Sequence, residues 1–296
     1  MVGQACPQIV RLAILDVDVP VPNVLARHGR YSDIFRNLLQ AAAERINKTG
    51  VLSRQVKFQT TSYNCVDGEY PPDPALIDAI LITGSRASAY DDEPWIHALD
   101  RYVLDIYRNY PHIRIFGSCF GHQLLCQALL RHHGVTVQRD PAGWELGVHE
   151  VQVASDFLAA LPLSLTALPS YDGSRHQAPG SSGDRDVRFK VQFVHADRVV
   201  LPESPVPLPG PWVALGSSRH CSVQGVMHPG RVLTLQGHFE FDRFVNAETI
   251  KAFGQSWDQE SRQAALKNVD QDDDADLLAE LVTVFLAHGS CLTRNQ

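Results

Sequence analysis

Short apolar runs rich in valine and isoleucine alternate along the chain with longer segments of helical period, the pattern of a parallel sheet covered by helices. Ile9 to Asp16 predicts a first strand. The helix after it is expected over Tyr31 to Arg45, with Ile34, Leu38, Leu39 and Ala42 on one face. Further strands are predicted over Val56 to Ser62, over Asp78 to Thr83 with Gly84 and Ser85 closing it, and over Ile113 to Phe116. Helices are predicted over Pro94 to Tyr107 and over Phe120 to His133, the second stopped by Gly134 where glycine is favoured after a helix. Beyond Gly143 the period shortens, and Gly147 to Val153, Lys190 to Val194, Trp212 to Leu215, Ser222 to Met227 and Arg231 to Leu235 predict strands with turns between them.

Ser170 to Asp186 are turn-formers and charges, expected as a long exposed loop. The acidic run Asp270 to Asp276 does not make a calcium loop. Counted from Asp270, the sixth and twelfth positions need glycine and glutamate, and the chain has Ala275 and Leu281. These carboxylates are expected at the start of a last helix, Ala275 to Ala287, where the helix dipole favours negative charge.

At 296 residues and 44% hydrophobic, the chain is long enough to bury the core of one large α/β domain, the organisation expected over 1–296. A net charge of −7 without a basic cluster gives no electrostatic footprint for nucleic acid. The N-terminal stretch lacks the layout of a secretory leader, and no window approaches eighteen apolar residues, so a cytoplasmic protein with no membrane partner is expected. Six cysteines without a C-x-x-C pair spell neither a zinc site nor a disulfide framework, and reduced thiols are expected.

One of those thiols stands out. Residues 113 to 123 read IRIFGSCFGHQ, which places Cys119 at a strand-to-helix turn between Gly117 and Gly121. Such an elbow exposes its tip residue at the sheet edge while the next N–H groups point at whatever binds there, and a helix N-terminus favours the thiolate. The glycines fit positions where a Cβ would collide. G-x-C-x-G alone is equally compatible with a structural cysteine in a tight turn. Cys126, on the apolar face of the following helix, is expected to be core.

A base is supplied by the segment Arg231 to Glu240 (RVLTLQGHFE), at the end of a strand. Residues two apart in extended chain project to one side, so His238 and Glu240 lie side by side. The carboxylate then fixes one ring nitrogen and favours the imidazolium, leaving the other nitrogen for the thiol, the arrangement of a Cys-His-acid triad.

With the elbow Gly117 to Gln123, the downstream Gly237 to Glu240 and Ile82 to Ser85 together, the chain resembles class I glutamine amidotransferase domains. It is similar in particular to the stand-alone cytosolic branch that also contains γ-glutamyl peptidases. Trp144 to Val151, Val194 to Val199 with Leu201 and Pro202, and Cys221 to Gly225 resemble further stretches of that branch. The likeness spans roughly 9–245 and is weak over 155–190. The family's His-Pro-Glu reads His238-Phe239-Glu240 here, and residue 239 should point away from both neighbours.

The resemblance implies a flavodoxin-like three-layer α/β sandwich with a mostly parallel sheet and the nucleophile at its elbow. It implies Cys119 as nucleophile, His238 as acid/base and Glu240 as its partner, with an oxyanion hole from the backbone of Phe120 and of the Gly84–Ser85 turn. Gln123 would hold the glutamyl group, and His195 with Asp197 would approach its amino-acid end; a surface ion pair is the other reading of those two. No metal or cofactor is implied. The reaction is cleavage of a γ-glutamyl amide through a thioester, with glutamine yielding glutamate and ammonia and any acceptor synthase on another chain. A γ-glutamyl peptidase for glutathione or its conjugates is the close alternative, and a catalytically silent binding module a further one. An α/β-hydrolase would place its acid before the histidine on another strand, against the order seen here.

Overall fold

A computed structural model describes residues 6–177, 186–204 and 208–288. Its strands are β1 (Gln8–Asp16), β2 (Val56–Asn64), β3 (Ala79–Ile82), β4 (Arg114–Ser118), β5 (Thr136–Arg139) and β6 (Glu145–Val153). They continue with β7 (Arg188–His195), β8 (Asp197–Val200), β9 (Val213–Ala214), β10 (Gly216–Ser217), β11 (Val226–His228) and β12 (Val232–Leu235). The helices are α1 (Pro22–His28), α2 (Tyr31–Thr49), α3 (Pro94–Asn109), α4 (Phe120–Leu130), α5 (Ser155–Ala160), α6 (Gly173–His176), α7 (Arg243–Phe253), α8 (Gln259–Val269) and α9 (Ala275–Ala287).

Seven strands form the central sheet in the order β2-β1-β3-β4-β12-β11-β9. The first five run parallel, and β11 and β9 close one edge antiparallel. Alternation along β1 divides the core between the two faces of the sheet. Val10, Leu12 and Ile14 meet Phe35, Leu39 and Ile46 of α2 and the apolar α9, whereas Ala13 and Leu15 share the other face with Leu99 and Val103 of α3 and Leu124 and Leu125 of α4. Each such large side chain, buried, stabilises the fold by about 1.5–3 kcal/mol relative to exposure. The α/β sandwich is therefore three layers deep around a mostly parallel sheet.

In a parallel sheet the carboxyl ends of all strands share one edge, and that edge is where sites form. Because β4 and β12 are neighbours, the turn after β4 and the segment after β12 meet there, beside the turn after β3. A small antiparallel sheet, β10-β6-β7, caps the same end. It is anchored by the His238 N–H on the Gln192 carbonyl at 2.8 Å and by Asn246, which donates to the Gln192 side chain at 2.7 Å.

Two expectations are corrected. The strand over Ser222 to Met227 is confined to Val226–His228, because Ser218 Oγ captures the N–H groups of His220 and Cys221 and the Gln224 N–H turns back to the Gly216 carbonyl. The segment 170–186 is not simply an exposed loop. Ser170 donates its N–H and Oγ to Glu280 of α9, at 2.9 and 2.7 Å, and α6 brings buried His176 and Arg175 onto Asp274 at 3.1 and 2.7 Å. Residues 178–185 of that segment lie outside the described residues.

Candidate active site

Cys119 stands between the last residue of β4 and the first of α4 with φ +50° and ψ −101°, a backbone conformation that costs an ordinary residue about 1–3 kcal/mol. Its N–H is held by the Leu235 carbonyl at 2.8 Å and its carbonyl takes the Gln123 N–H at 3.0 Å, so neighbouring strand and following helix both fix the turn. The flanking glycines are required by space. A Cβ on Gly117 would lie 2.5 Å from the Gly121 carbonyl, and one on Gly121 would lie 2.6 Å from the Ile82 carbonyl oxygen.

On the adjacent segment, Nδ1 of His238 lies 2.7 Å from Oε1 of Glu240, and Ser118 Oγ donates to the same oxygen at 2.9 Å. The imidazole stacks on Phe241, with ring centroids 4.0 Å apart and planes 13° from parallel. Phe239 points the other way, edge-on to Phe35 and Phe116 in the core. Burial alone would strip the His238 proton. The charges of Glu240 and then of the Cys119 sulfur outweigh it and push the imidazole pKa up to about 10. Gly84 sits against both groups: a Cβ there would be 3.1 Å from His238 Cε1 and 3.7 Å from Cys119 Cβ.

Cys119 opens onto a cleft of about 320 Å³, at the lower end of the range for small-molecule sites. Ser85, Gln123, His195 and Asp197 line it, and its outer wall is Arg86, Arg139, Trp144 and Phe253. His195 is buried, not part of a surface ion pair. Its Nε2 faces Glu145 Oε2 and its Nδ1 the Asp197 carbonyl, both at 2.9 Å. The Asp197 carboxylate accepts from Ser88 Oγ at 2.5 Å and Tyr90 at 3.0 Å, tying the turn after β3 to the cleft wall. The described residues of segment 170–186 do not line the cleft.

The chain is 30% identical to a glutamine amidotransferase-like protein of Schizosaccharomyces pombe over 282 residues, 93% of this chain and 98% of the relative. It belongs to the glutamine amidotransferase-like family. Gamma-glutamyl peptidase 2 of Arabidopsis thaliana is 26% identical over 247 residues, 82% of this chain and 81% of that protein. A glutamine amidotransferase from Thermotoga maritima has the same fold, with a TM-score of 0.59 at 17% identity over 94% of this chain and 98% of that one. No protein-family model matches the chain.

In this amidotransferase-like chain two site residues are not apparent from the sequence. Gln236 is fully buried and directs Nε2 at Cys119 Sγ from 3.5 Å, while its Oε1 accepts from Gln123 Nε2 at 3.0 Å. Its parity with His238 and Glu240 was the available signal, since Gln236 projects to the same side of the extended segment. Glu145 is the other: its burial opposes ionisation, but its hydrogen bond to His195 and the charge there, and then the bonds from Ser218 and Gln224, hold its carboxyl below the usual range. No set of three or more His, Cys, Asp or Glu positioned for a metal occurs among the described residues, and no helix there is long and apolar enough to cross a membrane.

Proposed function

We propose that this chain hydrolyses γ-glutamyl amide bonds through a γ-glutamyl thioester on Cys119, with glutamine as the simplest substrate. The observation that carries the reading is the thiol at a strained elbow beside a buried, carboxylate-paired imidazole. The Cys119 sulfur attacks the γ-carbonyl carbon, and the carbonyl oxygen gains charge. Phe120 is the first residue of α4 and its N–H has no carbonyl four residues back within the helix, so it is free to meet that charge together with the Gly84–Ser85 turn. Protonated His238 gives its proton to the departing nitrogen, which leaves as ammonia from glutamine or as an amine from a peptide. Neutral His238 then takes a proton from water as the water attacks the thioester. Glutamate leaves and the thiolate–imidazolium pair is restored.

Glu240 and Ser118 hold the imidazole in one orientation throughout, and Gln236 holds the sulfur. A second reading, a γ-glutamyl peptidase acting on glutathione or its conjugates, is favoured by the outer wall of the cleft, where Arg86 and Arg139 offer charge and Trp144 and Phe253 apolar surface to a larger leaving group. The name of the Arabidopsis relative supports it too. Glutamate release from glutamine, glutathione and a glutathione S-conjugate, measured with the purified protein and with Cys119→Ala, tests both. Release from none of the three, or equal release by the alanine variant, would overturn the mechanism.

A further inference from the structure

At the opposite edge of the sheet, where the parallel strands begin, lies a cavity of about 820 Å³. Its polar lining is Ser53, Arg54, His112, Arg114, Arg231 and His288, together with Gln8, and among the described residues no carboxylate lines it. In a chain of net charge −7 that concentration of cationic side chains demands a reason. Arg114, the first residue of β4, is only 8% exposed, and its guanidinium forms neither an ion pair nor a hydrogen bond among the described residues. Asp78, whose carbonyl accepts the Arg114 N–H at 3.2 Å, turns its carboxylate to Arg11 instead, at 2.9 Å. The Ala287 carbonyl at the end of α9 is taken by Gln8. Arg231 lies over the Tyr107 ring at 5.0 Å and donates to the Tyr107 carbonyl, but its Nε is likewise buried without a partner.

A buried cation without a counter-charge is strongly unfavourable, and a second, half-buried guanidinium facing the same cavity adds to the cost. We propose that this cavity binds a small oxyanion, phosphate- or carboxylate-bearing, gripped by the guanidinium groups of Arg114 and Arg231. Planar guanidinium forks match the oxygen pairs of either group, and charge-assisted hydrogen bonds of this kind are about twice as strong as neutral ones. Burial and the neighbouring Arg231 already hold the Arg114 pKa down to about 10, a strain that an anion between the two would relieve. The cavity is at the end of β4 remote from Cys119, so it is separate from the cleft described above.

The test is thermal unfolding and calorimetric titration of the full chain with inorganic phosphate, pyrophosphate and citrate, each against chloride at the same ionic strength. The midpoint is expected to rise by about 5 °C at a ligand concentration a hundred times Kd. Phosphate and pyrophosphate acting without citrate assigns a phosphate ligand; citrate alone assigns a carboxylate. Arg114→Met and Arg231→Gln are each expected to weaken binding by about tenfold or more, and Arg114→Lys, which keeps charge but loses the fork, by less. Arg114→Met removes an unpaired buried charge, so it is expected to fold at least as stably as the parent without anion, and Arg231→Gln, at a half-buried position, gives an independent reading. A midpoint no higher than in chloride, or binding undiminished in both variants, overturns the proposal.

Discussion

Nε2 of Gln236 points at Cys119 Sγ from 3.5 Å while Oε1 of the same amide holds Gln123. A donor fixed on a sulfur favours the thiolate over the thiol, and hydrogen bonds to charged groups are worth about 1.5–3 kcal/mol. Gln236→Leu is therefore expected to lower kcat/KM for γ-glutamyl substrates by about ten- to a hundredfold and to slow alkylation of Cys119 by iodoacetamide at pH 7. Activity lost with alkylation unchanged would place the role of Gln236 in Gln123 and the substrate, not in the sulfur.

The elbow itself makes a stability prediction. Glycine tolerates positive φ, which costs other residues, and here the usual ranking of alanine above glycine should invert. Cys119→Gly is expected to be about 1–3 kcal/mol more stable than Cys119→Ala in urea unfolding, both variants being inactive. Gly121→Ala, whose methyl would meet the Ile82 carbonyl, is expected to destabilise and to abolish activity by displacing the turn. An alanine variant at 119 as stable as the glycine one would mean that the turn is unstrained.

Much of this arrangement was legible because it is local. The elbow, its two colliding glycines and the His238–Glu240 pair each lie within a few residues of chain, β1 and α9 follow from runs of apolar residues, and β2 from the alternation of Val56 and Phe58 with polar residues. What was missed depends on distance or on weak burial. Glu145 reaches His195 only through the antiparallel register of β6 and β7, which pairs those two positions across fifty residues and cannot be read from either strand. In α8 only Ala265 and Val269 are buried, and in α1 only Val24, too few to print a helical period. The pairs β5 and β8 are four residues each. Segment 170–177 reads as loop by composition and is ordered by Glu280, a residue more than a hundred positions away.

The raised pKa of His238 fixes the sign of two pH effects. A proton bound more tightly in the folded chain than in the unfolded one stabilises the fold below about pH 6.5, and that stabilisation is lost as pH rises toward about 10. Glu240 is the strongest influence holding the proton, so in Glu240→Gln this loss should still begin near pH 6.5 but be smaller and end at lower pH. The alkaline limb of kcat/KM should move the same way, since leaving-group protonation needs the imidazolium. The rate is expected to fall by about ten- to ten-thousandfold, less than for His238→Ala. An alkaline limb that stays in place while the rate falls would mean that Glu240 orients the ring without holding its charge.

The outer wall of the cleft separates the two substrates. Arg139 lies opposite Asp197 in the register of β5 and β8, yet the Asp197 carboxylate is occupied by Ser88 and Tyr90, and Arg139 forms no ion pair among the described residues. A free guanidinium beside Trp144, itself packed on Trp257 with ring centroids 5.2 Å apart, suits a leaving group that carries a terminal carboxylate and an apolar substituent. Glutamine has neither beyond its scissile amide. Arg139→Gln is accordingly expected to raise KM for glutathione and its S-conjugates by about tenfold, the worth of one charge-assisted contact, and to leave glutamine within about twofold. Trp144→Ala should affect the S-conjugate more than glutathione itself. Equal losses for glutamine and the peptides would move Arg139 to the glutamyl end of the site, and no change for any of them would leave the glutaminase reading with no peptide-binding wall to explain.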